Sequence, residues 1–328
     1  MHHYCTLFDR NYLYKGMLLY QSLLRHSTTD FCLWILCMDD IAYEFLKKLE
    51  LKNVKLVTLA EYENEQLLKV KKERTVAEYS WTGSANFCWH MLNRLPEGEM
   101  ITYLDADMYF FSDPEVIFQE IGNASIAIVG HKFQGIRKKF EKYTGVYNVA
   151  WVSFKKDAEG TKACEWWKDR VLERCSADLK GGNIGDQHYL NDWPERFKNV
   201  HVIQHTGADI APWNVNNYKF SLREDKVYVD AQPLVFYHFH NFALIKKDFY
   251  LTCSNTYIPS DAKKYVYSEY RHEMKKIIQF VQERDPAFVN YGFKKKYFNS
   301  MIGQVIFNLK FVDSFYVKHS IRKLEKSY

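Results

Sequence analysis

The sequence lacks the features that mark several common protein classes. Its cysteines, at 5, 32, 37, 88, 164, 175 and 253, are odd in number and include no Cys-x-x-Cys pair. That excludes a fully paired disulfide framework and the usual structural zinc spacing. Several lie inside apolar runs, so buried free thiols in a reducing compartment are expected. No run of about 18 apolar residues occurs, and Met1-His2-His3-Tyr4 has neither the charged nor the apolar region of a secretory leader. The expected location is cytoplasmic, with any membrane attachment peripheral and on the inner face. No repeat, low-complexity stretch or Gly/Ser-rich linker divides the chain, and residues 5–16 contain a single glycine, Gly16, rather than a phosphate-binding glycine loop. No nucleic-acid recognition motif accompanies the basic residues, so nucleic acid is not an expected partner.

What is present points to a packed enzyme-sized fold. With 328 residues, 47% hydrophobic and 17% aromatic, the chain can bury a large core and is not disordered. The aromatic excess suits either that core or the faces of sugars. The net charge of +5 is unevenly placed: residues 290–328 hold eight Lys/Arg against Asp313 and Glu325, or +6, leaving −1 on the rest. Interleaved with Phe298, Phe307, Phe311 and Phe315, these cations suit an anionic membrane surface; a terminal helix packed on the body with a solvated basic face is the other reading.

Periodicity gives the architecture. Tyr4 to Phe8 and Phe31 to Met38 are near-continuous apolar runs. Tyr12 to His26 follows the first with helical spacing, a helix through Leu49 follows the second, and a strand runs from Val54 to Leu59. Such alternation marks a parallel sheet covered on both faces, a doubly wound α/β fold. After Pro114 shorter strands are expected at 125–129, 149–154, 200–204 and 234–239, and from about residue 260 the chain reads as mainly helical. The expected division is a catalytic domain over 1–250 and a helical, basic-aromatic extension over 251–328.

The chemistry concentrates where the strand Met100–Leu104 runs into Asp105-Ala106-Asp107. Ligands of open α/β sheets gather beyond the carboxyl ends of strands. Carboxylates at i and i+2 on extended backbone share a face and suit a hard cation such as Mn²⁺ or Mg²⁺, which can neutralise a diphosphate leaving group. An Asp-x-Asp arises about once by chance in a chain of this size; the apolar flanks on both sides give this one its weight. A late strand, Leu234 to His240, offers two histidines: strict alternation would face both His238 and His240 into one space, each able to complete a metal site.

These residues resemble the GT-A glycosyltransferases, in particular the glycogenin-like family 8 retaining enzymes. The resemblance rests on Tyr103-Leu104-Asp105-Ala106-Asp107 for the family's metal-binding motif. For its late His-x-x-Gly-x-x-Lys it rests on His240-Asn241-Phe242-Ala243-Leu244-Ile245-Lys246, with alanine in place of the glycine. It implies a Rossmann-like nucleotide-diphospho-sugar transferase fold with a helical C-terminal extension. It implies Asp105, Asp107 and His240 as metal ligands, with His238 secondary, and Lys246 as a diphosphate contact. Thr6, Asp9 and Tyr12 correspond to the first nucleotide-contacting loop, and Asn148 to a residue beside the donor sugar. Asp186 and Gln187 match the segment that holds sugar hydroxyls and approaches the anomeric carbon, and Ala211-Pro212-Trp213-Asn214 a segment near the acceptor. The implied partners are a nucleotide-sugar donor, most simply UDP-linked, and a glycan or lipid-linked acceptor. A sugar-phosphate nucleotidyltransferase and a non-catalytic sugar-binding module are the rival classes.

Overall fold

A computed structural model of the chain describes residues 1–178, 185–246, 249–253 and 256–292. The membrane reading of the tail over 290–328 therefore falls almost wholly outside the described residues.

The N-terminal half forms the expected α/β layers. Strands β1 (His2–Phe8), β2 (Phe31–Cys37), β3 (Val54–Val57) and β4 (Met100–Leu104) pair in parallel, with β1 between β2 and β4. The short β5 (Met108–Phe110) leaves this sheet, and β6 (Ile126–Gly130), β7 (Tyr147–Lys155) and β8 (Val200–Ile203) rejoin it. The resulting order is β3-β2-β1-β4-β7-β6-β8 across seven strands. Of the short strands expected after Pro114, those at 125–129, 149–154 and 200–204 extend the same sheet, whereas the one at 234–239 pairs outside it. The seven-stranded sheet is mainly parallel, with β7 antiparallel to both β4 and β6. A second ribbon of β9 (Phe220–Arg223), β10 (Lys226–Val229) and β11 (Gln232–Pro233) precedes β12 (Phe236–His238), which pairs with β5. The hairpin of β13 (Ala243–Lys246) and β14 (Phe249–Leu251) follows.

Each face of the sheet carries its own core. On one, the Leu13–His26 helix buries Leu13, Met17, Leu18 and Leu23 with β5, β12 and the late Ser268–Arg284 helix, whose Tyr270, Met274, Ile277 and Val281 are buried in the same cluster. The expected helical character of the C-terminal part is thus present, packed against the first helix. On the other face the Val76–Leu92 and Ala158–Glu173 helices bury Phe87, Cys88, Met91, Cys164 and Trp167. Thr75 and Glu78 close a capping box at the start of the first of these. Much of the aromatic excess serves these cores: Trp151, Trp167 and Trp193 have no exposed surface, and Phe239 stacks on Tyr270 at 3.6 Å. All seven cysteines are free and buried. Among the described residues no helix is long and apolar enough to cross a membrane.

Candidate metal and donor site

The site grows from the end of β4, the strand flanked by β1 and β7. Asp105 donates its amide to Ala150 O on β7 (3.3 Å), and Met108 donates back to Asp105 O (3.1 Å), so the chain turns sharply through Ala106-Asp107 into β5. β5 then pairs antiparallel with β12 in the register Met108↔His238, Tyr109↔Tyr237, Phe110↔Phe236. That register sets His238 beside Asp107. Its Nε2 is 3.0 Å from Asp107 Oδ1 and 3.7 Å from Asp105 Oδ2. Ligand atoms of Asp105, Asp107 and His238 lie within 4.8 Å of one another. Two carboxylates and an imidazole converging in this way fit Mn²⁺ or Mg²⁺, with coordination left over for substrate oxygens.

The histidine beside the carboxylates is thus His238, where the resemblance favoured His240. β12 ends at His238, Phe239 donates its amide to Asp107 O, and Phe242 donates to Phe239 O, turning the chain through Asn241 at φ +59°. Strict alternation therefore stops at His238, and His240, near enough to feel the Asp107 charge, is not part of the Asp105–Asp107–His238 cluster. Counted from His238, the residue three further on is Asn241, in the left-handed conformation that glycine and asparagine adopt most readily. His240 sits edge-on to His238 (5.8 Å between ring centroids) and against Trp213 (5.5 Å).

Two charged partners escaped the sequence reading. Lys15, on the first turn of the Leu13–His26 helix and 2% exposed, places Nζ 3.2 Å from Asp107 Oδ2 and over the Tyr12 ring at 4.1 Å. Its signal was present as a lone cation among Leu13, Tyr14, Met17 and Leu18. Asp209, fully buried with φ +53°, lies behind His238: Oδ1 is 3.8 Å from Nδ1. That is too long for a hydrogen bond, and among the described residues neither Nδ1 nor either Asp209 oxygen has another hydrogen-bond partner. His238 thus sits between the Asp pair and a third carboxylate, all of which favour its charged form. Asn214 braces this loop, donating to Asp209 O (2.8 Å) and His131 O (3.0 Å).

Electrostatics follow from this packing. Burial raises Asp105 to about 6, opposed by His238. Burial acts the same way on Asp107, but Lys15 and His238 outweigh it and hold that carboxyl well below the usual range. His238 resists burial because Asp107, Asp105 and Asp209 raise it to about 9. Asp209 itself is pushed by burial to about 6 despite His238 and Lys132.

The other expected residues are placed as follows. Asp186 is buried and accepts a short hydrogen bond from the Ser84 hydroxyl, while Trp167 Nε1 donates to its carbonyl at 3.0 Å. Burial raises its carboxyl to about 7, against the Ser84 bond and with a further push from Asp105. Asn148 Nδ2 reaches Gln187 Oε1 (3.3 Å) and His131 Nε2 (3.0 Å), which brings two of the donor-sugar candidates together. Asp9 caps its own loop, accepting from the amides of Asn11 (2.9 Å) and Tyr12 (3.2 Å). Thr6 has no exposed surface within β1. Lys246 ends β13, and its side chain lies outside the described residues.

No protein-family model matches the chain. It is 35% identical over 298 residues to YfnD of Bacillus subtilis (strain 168), covering 90% of this chain and 95% of that protein. It is likewise 35% identical over 302 residues to YfnF of the same organism, covering 89% and 97%; both are described as uncharacterized. Among solved structures, the galactosyltransferase LgtC in complex with donor and acceptor sugar analogs superposes with a TM-score of 0.50 at 10% identity, covering 84% of this chain and 95% of that one. The chain therefore belongs to the family of YfnD and YfnF, and its fold is that of the GT-A glycosyltransferases.

Proposed function

We propose that this protein is a metal-dependent glycosyltransferase that moves a sugar from a nucleotide-diphosphate sugar, UDP-linked in the simplest case, to a glycan or lipid-linked acceptor with retention of configuration. The observation that carries the reading is the convergence of Asp105, Asp107 and His238 at the carboxyl end of β4 in a GT-A sheet. Mn²⁺ or Mg²⁺ held by these three would supply Lewis-acid neutralisation of the diphosphate leaving group. Lys15 contributes a second, fixed positive charge on the far side of Asp107. Asp186, Gln187 and Asn148 orient the donor sugar beside the metal, and Trp213, in ring contact with both His238 and His240, forms part of the acceptor side. In a retaining transfer the acceptor hydroxyl approaches from the face that the nucleotide leaves, so no separate carboxylate base is required.

Donor hydrolysis and transfer, followed by nucleotide diphosphate release across a panel of nucleotide sugars, test this reading. Turnover should require Mn²⁺ or Mg²⁺, stop on chelation and fall by at least about 100-fold in Asp107→Ala. Undiminished turnover in EDTA or in Asp107→Ala would refute metal dependence. Proton NMR of the product anomer decides retention, and an inverted product would remove it from the proposal.

A further inference from the structure

The segment between β6 and β7 forms an exposed lobe of two short helical turns, Gly135–Phe140 and Glu141–Thr144. Its surface is unusual in two ways at once. Ile136 is 81% exposed, the most exposed large apolar side chain among the described residues, and Phe140 and Tyr143 follow it at i+4 and i+7, at 41% and 39%. Between them stand Lys138, Lys139 and Lys142, all exposed, with Arg137 tied to Thr256 Oγ1 at 3.2 Å. The only acid from 134 to 146 is Glu141. Apolar side chains interleaved with cations at helical spacing are the composition of a segment that lies in a lipid headgroup layer.

The lobe is coupled to the site by a run of ring contacts. His238 meets Trp213 at 5.2 Å, Trp213 meets His131 at 5.4 Å, His131 stacks on Phe133 at 4.9 Å, and Phe133 meets Phe140 at 6.3 Å. At its other end the lobe is fixed by Val146 N, which donates to Asn191 Oδ1 (2.8 Å), two residues before Asn148 on β7.

We propose that this lobe seats the protein on an anionic lipid surface, with Ile136, Phe140 and Tyr143 entering the headgroup boundary and Lys138, Lys139 and Lys142 facing lipid phosphate. Charge excludes the chain's own tail as occupant, because residues 290–328 carry +6 and the lobe is itself basic. A soluble anionic polymer would engage the lysines but gain nothing from an isoleucine left in water, so the exposed Ile136 favours a bilayer. The proposal is independent of the chemistry at Asp105 and Asp107.

Co-sedimentation of the full-length chain with vesicles tests it, comparing phosphatidylcholine alone with phosphatidylcholine mixed with phosphatidylglycerol. Binding should require the anionic lipid and weaken with salt. Lys138→Gln with Lys139→Gln should lower the partition coefficient by about 25-fold, at roughly fivefold per cation. Ile136→Ser with Phe140→Ser should lower it by about tenfold or more. Lys69→Gln with Lys72→Gln, which removes equal charge from an exposed helix elsewhere, should change it little. Circular dichroism and melting temperature identify any variant that has lost its fold. Wild-type binding in both lobe variants would overturn the proposal, as would absence of vesicle binding by the wild type. Loss in the lysine pair with full binding in the Ile136/Phe140 pair would reassign the lobe to a soluble polyanion and also overturn it.

Discussion

The buried carboxyl of Asp186 should cost the protein stability at neutral pH, and replacing it should return that stability. Folding raises its pKa from the ordinary 3.8 to about 7, chiefly by burial, with Ser84 supplying a single side-chain hydrogen bond. A carboxyl whose pKa rises on folding is most at home protonated. Its contribution is therefore favourable below about 4 and is lost as pH climbs through about 7. At 1.36 kcal/mol per tenfold change, the full penalty is about 4 kcal/mol at pH 8 and about 1.7 kcal/mol at pH 5. Asp186→Asn keeps an acceptor for the Ser84 hydroxyl but never ionises. In EDTA, urea unfolding of wild type and variant at the two pH values should show the variant gaining about 3 kcal/mol on the wild type between pH 5 and pH 8. Asp105 and Asp209 titrate in both proteins, so the difference reports Asp186 together with its coupling to Asp105. A stability difference that is flat with pH would refute this account. Donor turnover should meanwhile fall in the variant if Asp186 holds the sugar.

Three further outcomes follow from the same geometry. Lys15→Met leaves Asp107 with His238 as its remaining cationic partner, so metal-free stability should fall by about 1.5–3 kcal/mol; Mn²⁺ should recover part of it, and equal loss with and without Mn²⁺ would sever Lys15 from the metal site. Asp209→Asn should weaken Mn²⁺ binding, read by titration calorimetry, by about 10- to 100-fold while leaving the fold intact, because His238 loses the charge behind its Nδ1. His238→Ala should weaken Mn²⁺ binding more than His240→Ala does, and the reverse order would return the ligand role to His240.

How far the sequence could be read depended on whether the deciding force was local. Hydrophobic period is local, so β1, β2 and the Leu13–His26 helix were legible, as was β4 ending on Asp105 and Asp107. Burial of Cys5, Cys32 and Cys37 was legible in the apolar runs that contain them. Which of His238 and His240 packs beside the carboxylates was not a local matter. It was set by the pairing of β12 with β5 and by the turn at Asn241, which ends the alternation that would have aimed both rings alike.

The sequence by itself determined the layers and the acidic end of one strand, because side-chain period and strand length are written in neighbouring residues. The tertiary structure alone decided which groups face that end. Lys15, Asp209 and His238 lie 92, 102 and 131 positions from Asp107, and only the closing of helix, loop and ribbon around β4 brings their charges together. Low-dielectric burial then couples them into one site, with Asp107 held well below and Asp105 raised above the usual carboxylate range.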